Sequence, residues 1–534
     1  MRKNLILFAA ALCLLVACGK KENGNIGNVK TTYAELQAGW ADPPQSARTR
    51  VWWHWMNGNI TKEGIRKDIE WMHRVGLGGF QNFDAAMGGQ TIVEKRLAYM
   101  HDDWKDAFHY AIALADSLDM EVAIASSPGW SATGGPWVEP KDAMKKLVWR
   151  TSYVTGGDKV SLTLPEPFRT TGAFQNGGAA GRGEAAEGKA YYEDIAVLAM
   201  KLPEGYATAA ELGATLSSSG GEFTLEMLSD NDIATASMLP DDAKNGSWIR
   251  WDFPQDVTIR AITLTEGASQ GVLECSNDGN TFTRVCSLNG GNTAQRTLSV
   301  PATTARVFRV FFAPAPQGRP MGGPMGGFGG GMGGGGGFGG GMPGMGGRPA
   351  GPSGKQIAEL DLCTYSKVNR AEDKAAFSAA GNLTAAPTLA SADEAFSTAA
   401  DVVDVTSFVK DGVLDWDAPE GKWKIFRFGF SLTGKQNHPA TAEATGLEVD
   451  KLDPVAWTKF FHTYLDMYKD ASKGLIGKHG IQYVLTDSYE AEHENWTPAM
   501  FEEFSSRRGY DLRGWMPVLA GEVLGSPEQS DKWI

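Results

Sequence analysis

The chain reads as an α/β protein: a parallel, barrel-type sheet interrupted by an antiparallel β-sandwich insertion. Three observations predict this. Apolar, β-rich runs alternate with amphipathic helical segments between Val51 and Ser126. The same alternation returns after about residue 401. Between them lie short alternating strands separated by turn residues, with no helical period. At 534 residues, 42% hydrophobic and 10% aromatic, the chain can bury more than one core. Its formal charge of −13 argues against nucleic acid or an anionic membrane surface as the main partner, since both need clustered Lys and Arg.

In chain order, Arg2 and Lys3 precede an apolar run from Leu5 to Val16, which ends in Leu15-Val16-Ala17-Cys18. This is an export-signal pattern. It resembles a bacterial lipoprotein signal, in which Cys18 is lipidated and becomes the new N-terminus. An ordinary secretory signal or a short membrane anchor are the alternatives, although the run is short for a bilayer. Residues 1–18 are assigned to the signal and 19–44 to a tether. A lipid on Cys18 would be the link to the membrane, placing the protein at the outer membrane, in the periplasm or at the cell surface.

Residues 45–150 form the first part of the α/β domain. "VWWHWM" (51–56) is a strand, and a helix follows with Thr61 as N-cap and Ile65, Ile69 and Met72 on one face. "GGFQNF" (78–83) is the second strand. A helix near 102–118, with Trp104, Phe108, Ile112 and Ala115 in register, leads to the third strand at 121–126. Helices of this length between strands imply βαβ units.

Residues 151–400 are β-rich. "LSDNDIATAS", "SWIRWDF" and "LECSNDGNTF" resemble discoidin-like, galactose-binding-fold modules over about 213–315, which props up the catalytic part or binds sugar. A hairpin turning at Asp278-Gly279 would set Cys275 opposite Phe282, so a bridge to Cys286 is not expected. Residues 318–352 are Gly-, Met- and Pro-rich and are expected to be a disordered loop.

Residues 401–534 resume the α/β pattern. "GKWKIFRFGFSLTG" (421–434) is assigned as a strand and "IQYVLTD" (481–487) as another. Between them Asp453-Pro454 caps a helix with Val455, Phe460, Phe461, Tyr464, Leu465 and Tyr468 on its apolar side. Thr497-Pro498 opens a further helix.

Polar residues gather after each proposed parallel strand. His54 belongs to the first, Asp84 to the second and Trp130 to the third, while His438 follows the fourth and Asp487 and Glu490 the fifth. In a parallel barrel these loops converge on one mouth. Trp and Tyr offer flat faces to sugar C–H groups, and Asp, Asn and His hold hydroxyls. Trp130 and Trp496 are the platform candidates, since both lie in loop-like surroundings; at least half of the "VWWHW" aromatics are expected in the core. Glycosidic cleavage needs two carboxyl groups. Glu490 is the acid candidate, kept protonated by partial desolvation beside Tyr489. Asp487 would orient it, bind a hydroxyl or hold a metal. Glu492, His493 and Glu494 are read as a solvated rim.

The stretches "RVWWHWMNGNITKEGIRKDIEWMHRVGLGGFQNFDA", "FRFGFSLTGKQNHPATAEATGLEVDKLD" and "VLTDSYEAEHENWTPAMFEEFSSRRGYDLRGWMP" resemble glycoside hydrolase family 106, the bacterial α-L-rhamnosidases. The resemblance implies an inverting hydrolase acting on rhamnose-containing polysaccharide, a (β/α)8 barrel, an active-site calcium ion and two catalytic glutamates. Glu490 in "DSYE" matches the first glutamate. Asp487, Glu443 and Glu448 are candidate calcium ligands. Five barrel strands are counted where a closed barrel needs eight. Family members run much longer, so the resemblance implies a second glutamate beyond residue 534, and the chain is expected to be an N-terminal portion. Another glycosidase specificity, or a surface lipoprotein that binds glycan without cleaving it, are the competing functions.

Overall fold

Four strands come together as one parallel sheet although the last is separated from the third by more than half of the chain. In the computed structural model, β1 (Arg50–Met56), β2 (Gly79–Ala85), β3 (Glu121–Ala125) and β4 (Ile481–Leu485) are neighbours in that order. Helix α1 (Lys62–Arg74) joins β1 to β2, α2 (Asp102–Ser117) joins β2 to β3, and α3 (Pro454–Ala471) precedes β4. The structure describes residues 31–534 apart from 168–190, 233–234, 266–269, 289–294, 315–353, 379–381, 383–385, 390, 392–393 and 487–488. The signal with Cys18, the Gly-rich segment 318–352 and Asp487 lie outside the described residues.

The helices begin where the sequence caps them. Thr61 accepts from the Gly64 N–H, and Asp453 accepts from the N–H groups of Val455 and Ala456. Ile65, Ile69 and Met72 of α1, Trp104, Phe108, Ile112 and Ala115 of α2, and Phe460, Tyr464 and Tyr468 of α3 are buried against Phe80, Val122, Ile124 and Ile481. Each large apolar side chain buried there stabilises the fold by about 1.5–3 kcal/mol. Val455, expected on this side, is instead 75% exposed.

Strand parity divides the tryptophans of β1. Trp53 and Trp55 face the helices: Trp53 Nε1 donates to Asp68 at 3.0 Å, and Trp55 packs edge-on against Trp104 and Phe108. Trp52 and His54 lie on the opposite face and stack on Phe83.

One expected parallel strand belongs elsewhere. Gly421–Leu432 pairs antiparallel with Lys145–Gly156 on one side and Tyr192–Lys201 on the other, and Val402–Asp404 completes that sheet. Among the described residues the parallel sheet therefore has four strands, not five. The misassignment has a physical source. Phe426, Phe428 and Phe430 fill one core while Trp423 and Ile425 fill another. An antiparallel strand covered on both faces carries the same unbroken apolar run as a parallel one.

The insertion holds a six-stranded antiparallel sheet around the long strands Ser247–Thr265 and Gln295–Phe312. Trp251, Ile259, Leu273 and Phe308 are in its core. Cys275 stands opposite Thr283, one residue from the expected Phe282, and Cys286 stands opposite Leu273. Both are free, as is buried Cys363. Part of the expected tether is ordered: Tyr33–Ala41 is a helix opened by a Thr32–Glu35 capping box. Among the described residues no helix is long and apolar enough to cross a membrane.

Candidate active site

The loop after β3 is folded by its own serines. Ser126 N–H donates to Leu485 O at 2.9 Å, closing β3 onto β4, and Ser126 Oγ donates to Ala132 O at 2.8 Å. Ser127 Oγ donates to Ser131 O at 2.6 Å. Gly129 N–H reaches Asp84 O at 2.8 Å, which ties the loop to the end of β2.

A second loop, 435–447, is seated on the first. Trp130 N–H donates to His438 O at 2.9 Å, and His438 N–H donates to Ser131 Oγ at 3.0 Å. Asn437 Nδ2 donates to Pro128 O at 3.0 Å and Ala444 O at 3.1 Å. Gly129 makes this approach possible: its φ is +84°, and a Cβ there would stand 2.7 Å from the His438 carbonyl carbon and oxygen. Gly129→Ala is expected to lower stability by about 1–2 kcal/mol. Denaturant melts check this; an unchanged midpoint would contradict the packing.

Four of the anticipated site residues are linked in sequence across these loops. Trp130 Nε1 donates to His54 Nε2 at 3.3 Å. Burial holds His54 below the usual histidine range, which favours the neutral ring with Nε2 as acceptor. His438 Nε2 lies 3.4 Å from Glu490 Oε2, with the two side chains 43% and 41% exposed. Glu490 is thus exposed, where desolvation was expected. Tyr489 beside it is 56% exposed, leaving its ring accessible as a second aromatic surface.

The acids after β4 staple their segment to the loops beneath it. Besides the Glu490–His438 contact, Glu492 accepts from Lys435 Nζ at 2.9 Å and Glu494 accepts from Lys451 N–H at 2.7 Å. Ala491 is fully buried, and Glu492 adopts φ +60°, so the chain turns between these contacts. Glu494 is not on a solvated rim. It is half-buried, and burial, with the Asp450 charge adding to it, pushes its carboxyl up to about 8.

Two substrate-binding assignments do not hold. Asp84 is 3% exposed and accepts from Trp104 Nε1 at 2.9 Å. The strand runs on to Ala85, so Asp84 lies in phase with Phe80 and faces the helices rather than the mouth. Trp496 is 2% exposed, packs edge-on against Phe501, and belongs to the core under the second sheet. Its backbone is loop-like, but its ring offers no face to a sugar.

Burial pushes Asp84 up to about 7, against the opposing Trp104 hydrogen bond. Because the folded value exceeds the unfolded one, the folded state binds the proton more tightly. The associated stability is complete below about pH 4 and is lost as pH climbs through 7. Asp84→Asn keeps an acceptor for Trp104 and is expected to flatten the fall in unfolding free energy between about pH 4 and 7. A slope identical to that of the unsubstituted protein would contradict this.

Two of the calcium candidates, Glu443 and Glu448, are already paired. Glu443 accepts from Arg96 and from Tyr99 N–H. Glu448, fully buried, accepts from Thr133 Oγ1 at 2.6 Å and Lys451 Nζ at 2.7 Å. Each carboxylate thus faces a cation of the protein, and among the described residues no three His, Cys, Asp or Glu side chains gather as a metal site. Glu443 and Glu448 do not fit a shared ion. Ser131, Lys435 and Lys451 were not singled out from the sequence. The signal available for the last two was the alternation of Glu490, Glu492 and Glu494.

A family model described as alpha-L-rhamnosidase matches residues 41–534. The solved rhamnosidase of Novosphingobium sp. PP1Y is 39% identical with a TM-score of 0.74, over 93% of this chain and 44% of that one. A Formosa agariphila protein provisionally named a beta-glucuronidase is 23% identical over 508 residues, 95% of this chain and 28% of that protein. The chain spans less than half the length of either relative.

Proposed function

The chain belongs to the glycoside hydrolase 106 family of α-L-rhamnosidases, and from that premise we propose that it serves the removal of rhamnose from polysaccharide, with Glu490 as general acid. The observation that carries the reading is the placement of Glu490 against His438 and beside the Trp130 loop, at the C-terminal end of a parallel sheet. Glu490 donates its proton to the glycosidic oxygen as the bond from that oxygen to the anomeric carbon breaks, and the bonding pair stays on the oxygen. Water attacks the anomeric carbon from the opposite face and gives its proton to a second carboxylate, which inverts the configuration. That second group is unassigned among the described residues. Trp130 and Tyr489 supply the sugar-facing surfaces, and neutral His54 fixes the Trp130 edge.

The inner face of the sheet supports a closed (β/α)8 barrel in the whole protein. Trp52 is 48% and Tyr483 54% exposed there, and a closed barrel would cover them. Export, with Cys18 lipidated at the outer membrane, is part of the same proposal. The similarity to the Formosa agariphila protein favours a glucuronide as the second substrate class. Incubating the full-length gene product with aryl α-L-rhamnoside and aryl β-glucuronide separates the two. Rhamnoside turnover supports the proposal; glucuronide turnover alone selects the second reading; saccharide binding without turnover of either removes both.

A further inference from the structure

Resting on the reading of Glu490 as the acid, we propose that His438 is a positioning residue: its imidazole holds the Glu490 carboxyl in the rotamer that delivers a proton to the leaving oxygen. The geometry makes His438 the fixed partner of the two. Its backbone is held on both sides, through its C=O by Trp130 N–H at 2.9 Å and through its N–H by Ser131 Oγ at 3.0 Å. The same Ser131 hydroxyl lies 3.4 Å from His438 Nδ1, restricting rotation of the ring. Pro439 O accepts from Ala86 N–H at 3.1 Å, which anchors the next residue to the end of β2.

Glu490 stands on the far side of a turn whose position depends on its contacts with that loop. Lys435 and Glu492 pair at 2.9 Å, with Lys435 three residues before His438 and Glu492 two residues after Glu490. Two contacts between the same pair of loops, Lys435–Glu492 and His438–Glu490, define both the separation and the direction of the acid. A general acid must meet the leaving oxygen within hydrogen-bond reach, and small displacements sharply reduce its effect. His438 therefore acts through Glu490 rather than on the sugar.

The test uses the full-length protein and substrates that differ in their need for an acid. A dinitrophenolate leaves without protonation, whereas phenolate does not depart readily unless protonated. His438→Ala is expected to slow phenyl α-L-rhamnoside hydrolysis by about 10- to 100-fold. It should leave dinitrophenyl α-L-rhamnoside within about twofold, since acid assistance contributes little there. His438→Gln, whose amide N–H can still donate to the carboxyl, should recover most of the loss. Glu490→Gln is the reference and should show the same selectivity with a larger loss. Equal slowing of both substrates by His438→Ala, or no slowing of either, would overturn the positioning role. A Glu490→Gln variant without leaving-group selectivity would instead remove Glu490 as the acid, and the inference with it. Matching thermal midpoints of the variants show that folding is preserved; if His438→Ala melts early, His438→Leu, which fills the ring's space without a donor, takes its place with the same expected selectivity.

Discussion

Glu490→Gln is expected to reduce kcat on an unactivated rhamnoside by about 10²- to 10⁴-fold while leaving KM nearly unchanged. That loss corresponds to about 3–5 kcal/mol of transition-state stabilisation. Glutamine has the shape of glutamic acid and can still meet His438, yet it has no acidic proton to give. The proton is needed only as the glycosidic bond breaks, so ground-state binding to Trp130 and Tyr489 should survive. Steady-state kinetics with a full-length variant checks this. A KM increase with unchanged kcat would make Glu490 a binding group.

The largest stability effect is expected at Glu522, which is not among the candidate site residues. Its carboxylate is buried between two buried ammonium groups, Lys424 Nζ at 2.8 Å and Lys367 Nζ at 3.1 Å. Burial alone would push Glu522 up; the two lysines outweigh it and hold the carboxyl below its usual range. The three residues come from different parts of the fold. Lys367 follows the last strand of the insertion, Lys424 is in the Gly421–Leu432 strand, and Glu522 lies in the C-terminal segment. Val368 N–H donates to Gly521 O at 2.8 Å alongside them. Glu522→Gln would take from two buried ammonium groups the carboxylate they hydrogen-bond, leaving them only the Asp361 charge nearby, and should destabilise the protein by about 3–5 kcal/mol. Denaturant unfolding measures it. A loss below about 1 kcal/mol would mean that solvent reaches the site. Adding Lys424→Met to Glu522→Gln should recover part of the loss, since one buried charge is then removed.

Much of the α/β part was legible because its signals are local. Thr61 and Asp453 cap helices as expected, and the apolar spacings of α1 and α2 match their buried faces. Long-range pairing was not local. Gly421–Leu432 has no feature within its own span that reveals whether a parallel or an antiparallel neighbour covers it. Asp84 was misplaced by ending β2 two residues early, which turned a helix-facing strand position into a loop residue. Trp496 shows that an irregular backbone does not make a side chain exposed. At the candidate site, the cluster after β4 was visible, but not the division of labour within it. Glu492 and Glu494 pair with Lys435 and Lys451 N–H, and those partners lie roughly forty to sixty positions earlier in the chain. The tertiary fold alone brings them near.

The most direct measurement is a crystal structure of the full-length Glu490→Gln protein soaked with an α-L-rhamnoside. The account predicts a sugar ring against Trp130, with its glycosidic oxygen within hydrogen-bonding distance of the residue 490 side chain and His438 still contacting that side chain. A sugar bound only elsewhere on the protein, with residue 490 turned away into solvent, would contradict it.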